Sequence, residues 1–380
     1  MKRITVAVDS FKGSLSSREV ADAFEQGWKS VLPDCEVRKV SIADGGEGTV
    51  DALVETLNGE SIEIEVSDPL GRPIKARYGV IDGGATAVME MSAASGLPLL
   101  TPEERNPLLT STYGTGEMIA DALRRGARKF LVGIGGSATN DGGMGMLRAL
   151  GFKFLDAEGC ELDGSGATLE RVAKIDNTAA MAELSESEFI VACDVNNPLY
   201  GENGAAWVYA PQKGADRAMV ERLDAGLRNY AHAIEQFNGA NVAEMAGAGA
   251  AGGLGAGFKA LLGAHLERGI DMVLGAMNFD AIIEGCDLVI TGEGRLDRQT
   301  VMGKAPSGVL QRAQAQGIPT IAIGGAVAWC EELAASDFTA LVPITAGPIT
   351  LAEAMQSDVA TANVIRTATQ IAKMTNIKHR

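Results

Sequence analysis

The stretch Leu131-Val132-Gly133-Ile134-Gly135-Gly136-Ser137-Ala138-Thr139-Asn140-Asp141-Gly142-Gly143-Met144-Gly145 limits the possible folds of this chain more than any other. Residues 130–132 read as a short buried strand that empties into a loop made almost wholly of Gly, Ser, Thr, Asn and Asp. Residues 144–150 then read as a short helix closed by Gly151. Strand, glycine loop and helix in that order open an α/β unit. They also form an anion site, because glycines let backbone N–H groups approach a ligand and the helix N-terminus adds unpaired donors and a positive dipole end.

The same order recurs at both chain ends. Residues 4–8 are a β-branched run ending in Asp9-Ser10-Phe11-Lys12-Gly13-Ser14, followed by a helix with the capping box Ser16-x-x-Glu19 and the stripe Val20, Phe24, Trp28, Val31. Residues 36–42 read as the next strand, ending in Ala43-Asp44-Gly45-Gly46-Glu47-Gly48-Thr49 before a second helix. From Asp287 the rhythm returns, with a strand at 288–291, a loop from Gly292 to Lys304, strands at 320–323 and 340–344, and a C-terminal helix. Between these ends the period changes to two. Ile62, Ile64 and Val66 alternate, then Ile74, Ala76, Tyr78 and Val80, and a third extended run reaches Met91, which predicts an antiparallel meander. The expected architecture is a doubly wound parallel-sheet domain from residues 1–65 and 286–380, with a second α/β domain, 66–285, inserted. A chain of 380 residues is long enough for two such cores. Sheets of this kind bind ligands beyond the carboxyl ends of their strands, where the polar loops sit.

A formal charge of −16 repels phosphate backbones and argues against nucleic acid as a partner. A small anion remains compatible, provided Lys, Arg, helix N-termini or a divalent cation compensate locally. No apolar stretch approaches the ~18 residues of a membrane span, and the run near the N-terminus is too short for a signal peptide. Five cysteines, Cys35, Cys160, Cys193, Cys286 and Cys330, make no CxxC pair and read as reduced core thiols. The expectation is a cytoplasmic protein.

The three histidines, His232, His265 and His379, are scattered, which argues against a Ser-His-Asp triad and a histidine-ligated zinc. A Walker A loop is absent, since Gly303-Lys304 runs into Ala305. Carboxylates, lysines, hydroxyls and glycine loops remain, the equipment of Mg-dependent phosphoryl transfer. A rival reading is a nicotinamide-dependent oxidoreductase built on Gly133-x-Gly135-x-x-Ala138 with Asp156 beyond the next strand, although residues 139–143 intervene before any helix. A sugar-acid sensor without turnover is a third.

The three loops quoted above, together with Gly292-Glu293-Gly294-Arg295-Leu296-Asp297, Asp194-Val195-Asn196-Asn197-Pro198-Leu199 and Ala210-Pro211-Gln212-Lys213-Gly214-Ala215, closely resemble the bacterial type I glycerate kinases, nearly end to end. The resemblance implies the two-domain glycerate kinase I fold with a cleft between its domains. It also implies phosphorylation of D-glycerate by ATP with Mg2+, giving 2-phosphoglycerate in glyoxylate or aldarate breakdown. The 3-phosphoglycerate product is the alternative, and a homodimer is compatible.

Candidate roles follow from the chemistry such a reaction needs. Lys12 suits a phosphate or the substrate carboxylate, and Arg295 suits bidentate binding of either; Lys304 and Lys213 are weaker candidates. Asp194, at a strand end, is the first candidate for general base or Mg2+ ligand, against an Asx turn ahead of Pro198. Asp44 and Glu47 read as a metal-holding pair or as helix N-terminal acids, with Asp141, Asp297 and Glu293 further candidates. Two glycine loops compete as the ATP phosphate cradle. The one carrying Gly135, Gly136, Ser137, Thr139 and Asn140 is preferred for its polar side chains; that at 247–257 lacks hydroxyls and also suits close packing.

Overall fold

The computed structural model describes residues 1–376; His379 lies outside the described residues. In chain order its strands are β1 (Arg3–Val8), β2 (Glu36–Ser41), β3 (Glu60–Ser67), β4 (Pro73–Ile81), β5 (Thr86–Glu90), β6 (Lys129–Gly133), β7 (Lys153–Leu155), β8 (Lys174–Asp176), β9 (Glu188–Ala192), β10 (His265–Glu267), β11 (Leu288–Leu296), β12 (Thr320–Val327) and β13 (Ala340–Pro343). The chain divides into a terminal unit, Met1–Asp44 with everything from Val273 onward, and an inserted unit, Gly45–Met272. No helix among the described residues is long and apolar enough to cross a membrane.

The terminal unit is built on a sheet of order β13-β12-β11-β1-β2 in which every pairing is parallel. Its three central strands, β1, β11 and β12, are largely buried, as a sheet covered on both faces requires, while the edge strands β2 and β13 are partly exposed. Strand alternation sends Ile321 and Ile323 to one face, against helices Ser17–Lys29 and Ser357–Thr375. Ala322 goes to the other face, with Leu310 of helix Ala305–Ala315. The sheet is therefore doubly wound. Ser16 caps the first helix through the expected reciprocal bonds with Glu19, and Val20, Phe24 and Trp28 are all fully buried. Gly27 lets that helix meet its partner, since a Cβ there would lie 2.2 Å from the Ile365 carbonyl oxygen.

The inserted unit carries a sheet of order β10-β9-β6-β5-β4-β3. Its β3–β5 half is the antiparallel meander, and β5, β6, β9 and β10 run parallel. The unit begins at Gly45, where the sequence reading placed the change after residue 65. The reason is pairing: β3 is zipped to β4 from Glu60 to Ser67, and helix Thr49–Thr56 packs on β4 and β5. At the other junction helix Phe279–Ile283 packs on β1 and on helix Ala305–Ala315, which moves the boundary from 285 to Met272.

Two further local expectations are corrected. β11 does not end at Thr291 but continues through Gly292-Glu293-Gly294-Arg295 to Leu296, paired with β12 as far as Val327. All five cysteines are free as expected, but Cys160 is exposed and is no core thiol.

Candidate active site

The sheet of the terminal unit reverses direction between β11 and β1. From β1 the chain moves to β2 on one side, and from β11 it moves to β12 on the other. That switch point is where crossover helices leave a crevice at the strand carboxyl ends. A cavity of about 680 Å³ opens there, lined by residues that follow β1, β2 and β13 and by the carboxyl-terminal parts of β11, β12 and β13. Its size falls within the ~300–1,000 Å³ typical of sites that enclose a drug-sized ligand.

Asp9 is the first residue after β1. Its N–H donates to the Gly292 carbonyl oxygen at 2.9 Å, which fixes it beside β11. Its carboxylate accepts from the Ser10 N–H at 2.6 Å and is only 7% exposed. Burial, then the nearby charge of Asp44, pushes its pKa up to about 6, against the opposing pull of Ser10 and Lys12. Glu293 and Arg295 alternate along β11, separated by Gly294, and both line the cavity. Burial also raises the Glu293 pKa, while the Thr300 hydroxyl, donating at 2.5 Å, and Lys304 pull it down. The Lys304 ammonium stands 4.0 Å from the Glu293 carboxylate. Arg295 lies 3.6 Å from Asp297, which also caps the following turn by accepting from the Gln299 N–H at 2.8 Å.

The cavity is thus lined by both charged and apolar residues. Lys12, Arg295 and Lys304 supply positive charge beside the carboxylates Asp9, Asp44 and Glu293, while Phe11, Ile344, Leu351 and Met355 furnish apolar surface. Among the described residues no group of three or more His, Cys, Asp or Glu is placed to hold a metal ion between its members. Magnesium that arrives with a nucleotide needs only one or two protein carboxylates besides phosphate oxygens, and Asp44 is a hard-oxygen ligand of that kind.

Lys12, Arg295 and Asp44 from the sequence reading, with Lys304, Glu293 and Asp297, therefore meet in one cavity. The remaining candidates belong to the inserted unit. Asp194 is exposed at the end of β9 and accepts from the Gly269 N–H at 3.0 Å. Glu47 is exposed just before helix Thr49–Thr56.

The glycine loop that follows β6 differs from the expected cradle. Gly135 and Gly136 are exposed, but Thr139, Asn140 and Asp141 are completely buried. The Ser137 hydroxyl and Thr139 carbonyl both accept from Lys213, at 2.7 and 2.6 Å. Lys213 is itself only 1% exposed, and burial pulls its pKa down to about 7. Asp141 binds the Thr112 N–H and hydroxyl at 2.7 and 2.8 Å and the Gly143 N–H at 3.1 Å. The Ser137 hydroxyl and the Thr139 carbonyl thus hold Lys213, while the Thr139 hydroxyl and both amide atoms of Asn140 are buried with no hydrogen-bond partner among the described residues. The dinucleotide fingerprint also fails, with Ala138 bonded to Ser95 and the helix beginning only at Met144.

The two competing glycine loops pack against each other. Gly142 N–H donates to the Gly252 carbonyl at 3.0 Å. A Cβ on Gly252, whose φ is +70°, would lie 2.1 Å from the Thr139 carbonyl oxygen. Backbone fills the space at Gly142 and Gly252, whereas Gly135 has open space beside it. We expect Gly252→Ala to destabilise the chain by about 3 kcal/mol, from left-handed strain plus overpacking, and scanning calorimetry checks it as a melting point lower by roughly 6 °C or more.

Sequence reasoning did not single out Asp9 or Asn363. The signal for Asp9 was its place as the first polar residue after a buried strand; the signal for Asn363 was a polar residue within an apolar helical stripe.

Comparison with known proteins bears on the whole chain. A model of the glycerate kinase family matches residues 4–376. The chain belongs to the glycerate kinase family. It is 50% identical over 325 residues to the glycerate kinase of Bacillus subtilis (strain 168), covering 86% of this chain and 85% of that one. The glycerate kinase of Bacillus cereus (strain ATCC 10987 / NRS 248) is 46% identical over 381 residues, 99% of this chain and 100% of that one. The glycerate 2-kinase of Escherichia coli (strain K12) is 46% identical over 325 residues, 86% and 85% of the two chains. A crystal structure described as glycerate kinase 2 from Salmonella typhimurium LT2 superposes with a TM-score of 0.91 at 44% identity, covering 100% of this chain and 99% of that one. The mixed α/β architecture is thus that of the glycerate kinases.

Proposed function

We propose that this chain transfers the γ-phosphoryl group of ATP to the 2-hydroxyl of D-glycerate, with the nucleotide in the terminal unit's cavity. The observation that carries this reading is that Lys12, Arg295 and Lys304, four carboxylates and a set of apolar side chains line one cavity at the switch point of a parallel sheet. An adenine ring suits the apolar side chains. A triphosphate suits Lys12, Arg295 and Lys304, whose charges offset its own.

Catalysis of phosphoryl transfer is mostly positioning and charge stabilisation. Arg295, planar and always charged, is placed to hold oxygens of the transferring group, and Lys12 and Lys304 to hold the leaving diphosphate. The substrate hydroxyl oxygen attacks the γ-phosphorus as the bond to the β-phosphate oxygen breaks and ADP departs. Asp9, ionised at neutral pH yet basic enough to take a proton, receives the hydroxyl proton. When bound with the nucleotide, Mg2+ would be held by Asp44 and would supply charge neutralisation at the phosphate oxygens.

The reading is tested by incubating the protein with D-glycerate and MgATP, following ADP, and identifying the product by phosphorus NMR. Glycerate-dependent ADP with a 2-phosphoglycerate signal is the expected result. A 3-phosphoglycerate signal overturns the regiochemistry, and no glycerate-dependent ADP overturns the activity.

A further inference from the structure

Helix Ser357–Thr375 turns Ala360, Val364, Ala368 and Ile371 into the core of the terminal unit, and Asn363 interrupts that apolar stripe. Asn363 is only 6% exposed, and it lines the cavity described above. Its amide oxygen accepts from a guanidinium nitrogen of Arg366 at 2.7 Å. The same nitrogen donates to the Ile344 carbonyl oxygen at 3.0 Å, so the arginine is itself pinned. A guanidinium can only donate, so Oδ1 must face Arg366 and Nδ2 must face the other way. Among the described residues no acceptor meets Nδ2, and the atom is not sealed from solvent. The same cavity is lined by the apolar side chains of Ile344, Ile349, Leu351, Met355 and Ala360.

A buried amide whose acceptor side is locked, and whose donor side opens on a cavity with apolar lining, is built for a flat ligand with an acceptor at its edge. We propose that Asn363 reads the nucleobase, its Nδ2–H donating to a ring nitrogen of the adenine seated against this lining. Arg366 is then a positioning residue that fixes which face of the amide the base meets. This rests on the nucleotide reading of the cavity. It deepens that reading, because N1, N3 and N7 of adenine are all acceptors, and the amide supplies a donor where the apolar lining alone would accept any ring.

Steady-state kinetics with ATP and with its 1-deaza, 3-deaza and 7-deaza analogues tests this on the native chain. One analogue is expected to raise KM at least about tenfold, the loss for a buried donor left without its acceptor. Asn363→Asp keeps the shape and the Arg366 partner but replaces the donor by an acceptor. It is expected to raise KM for ATP by a similar factor, to leave KM for D-glycerate unchanged, and to stop distinguishing that analogue from ATP. Equal KM for all three analogues on the native chain, with Lys12→Ala still weakening ATP, overturns the role of Asn363 while leaving nucleotide in the cavity. If Asn363→Asp and Lys12→Ala instead raise KM for D-glycerate alone, the cavity does not hold the nucleotide, and the proposal falls with that reading.

Discussion

Asp9→Asn lowers kcat by about 100-fold or more and at the same time makes the protein harder to melt at neutral pH. The kinetic half follows from its role as proton acceptor, since an amide of the same shape cannot take the hydroxyl proton. In the native enzyme kcat falls as pH drops through about 6, the pKa to which burial and Asp44 push this carboxyl. That acid limb disappears in the variant. The stability half follows from linkage. The Asp9 pKa is raised from 3.8 to about 6 on folding, so between those values the native state binds more protons than the unfolded chain. Stability is therefore lost as pH rises through that window, by about 3 kcal/mol for two pKa units. Asparagine, neutral throughout, avoids the loss. Melting curves of the two proteins should coincide near pH 4 and separate above pH 6, with the variant the more stable. Near-native turnover with the acid limb intact would place the base elsewhere, and Asp194 is then the next candidate.

Arg295→Ala should cost about 1,000-fold in kcat/KM for ATP, the lower end of what one arginine contributes to a phosphoryl-transfer transition state. Its melting point should hardly move. The Arg295 side chain is 68% exposed and its ion pair with Asp297 spans 3.6 Å, a geometry that adds little to stability. Arg295→Lys should recover only part of the rate, because a single ammonium cannot replace the two-pronged guanidinium. A loss confined to melting temperature, or full activity in the lysine variant, would remove Arg295 from the reacting group.

Much of this architecture is legible from local pattern. β-branched runs of four to six residues followed by a capped helix announce parallel strands, and Ser16 with Glu19 marks a helix start that the structure reproduces bond for bond. The alternation from Ile62 to Val80 likewise announces the antiparallel pair β3–β4. Glycine was harder to read. A glycine is needed wherever something approaches the backbone closely, and a neighbouring strand makes the same demand as a phosphate. Gly292 reads as the start of a loop, yet it stays within β11 because a Cβ there would lie 2.2 Å from the Ile323 carbonyl oxygen. Gly142 and Gly252 likewise serve the meeting of two backbones. Lys213 looks like a surface cation and is the tie inside that region, a distinction that depends on contacts from β6's loop, distant in sequence. Lys12, Arg295 and Asp44 could be picked out one by one because each ends or follows a strand of the same sheet; Asn363 could not, since only the fold brings its helix to that edge.

The central claim is that the nucleotide sits at the carboxyl edge of the terminal unit's parallel sheet and not on a glycine loop of the inserted unit. Photolabelling with 8-azido-ATP in the presence of Mg2+, followed by peptide mapping, tests it most directly. The account predicts label within residues 343–363, abolished by excess ADP. Label confined to residues 133–145 or 247–257 would contradict it.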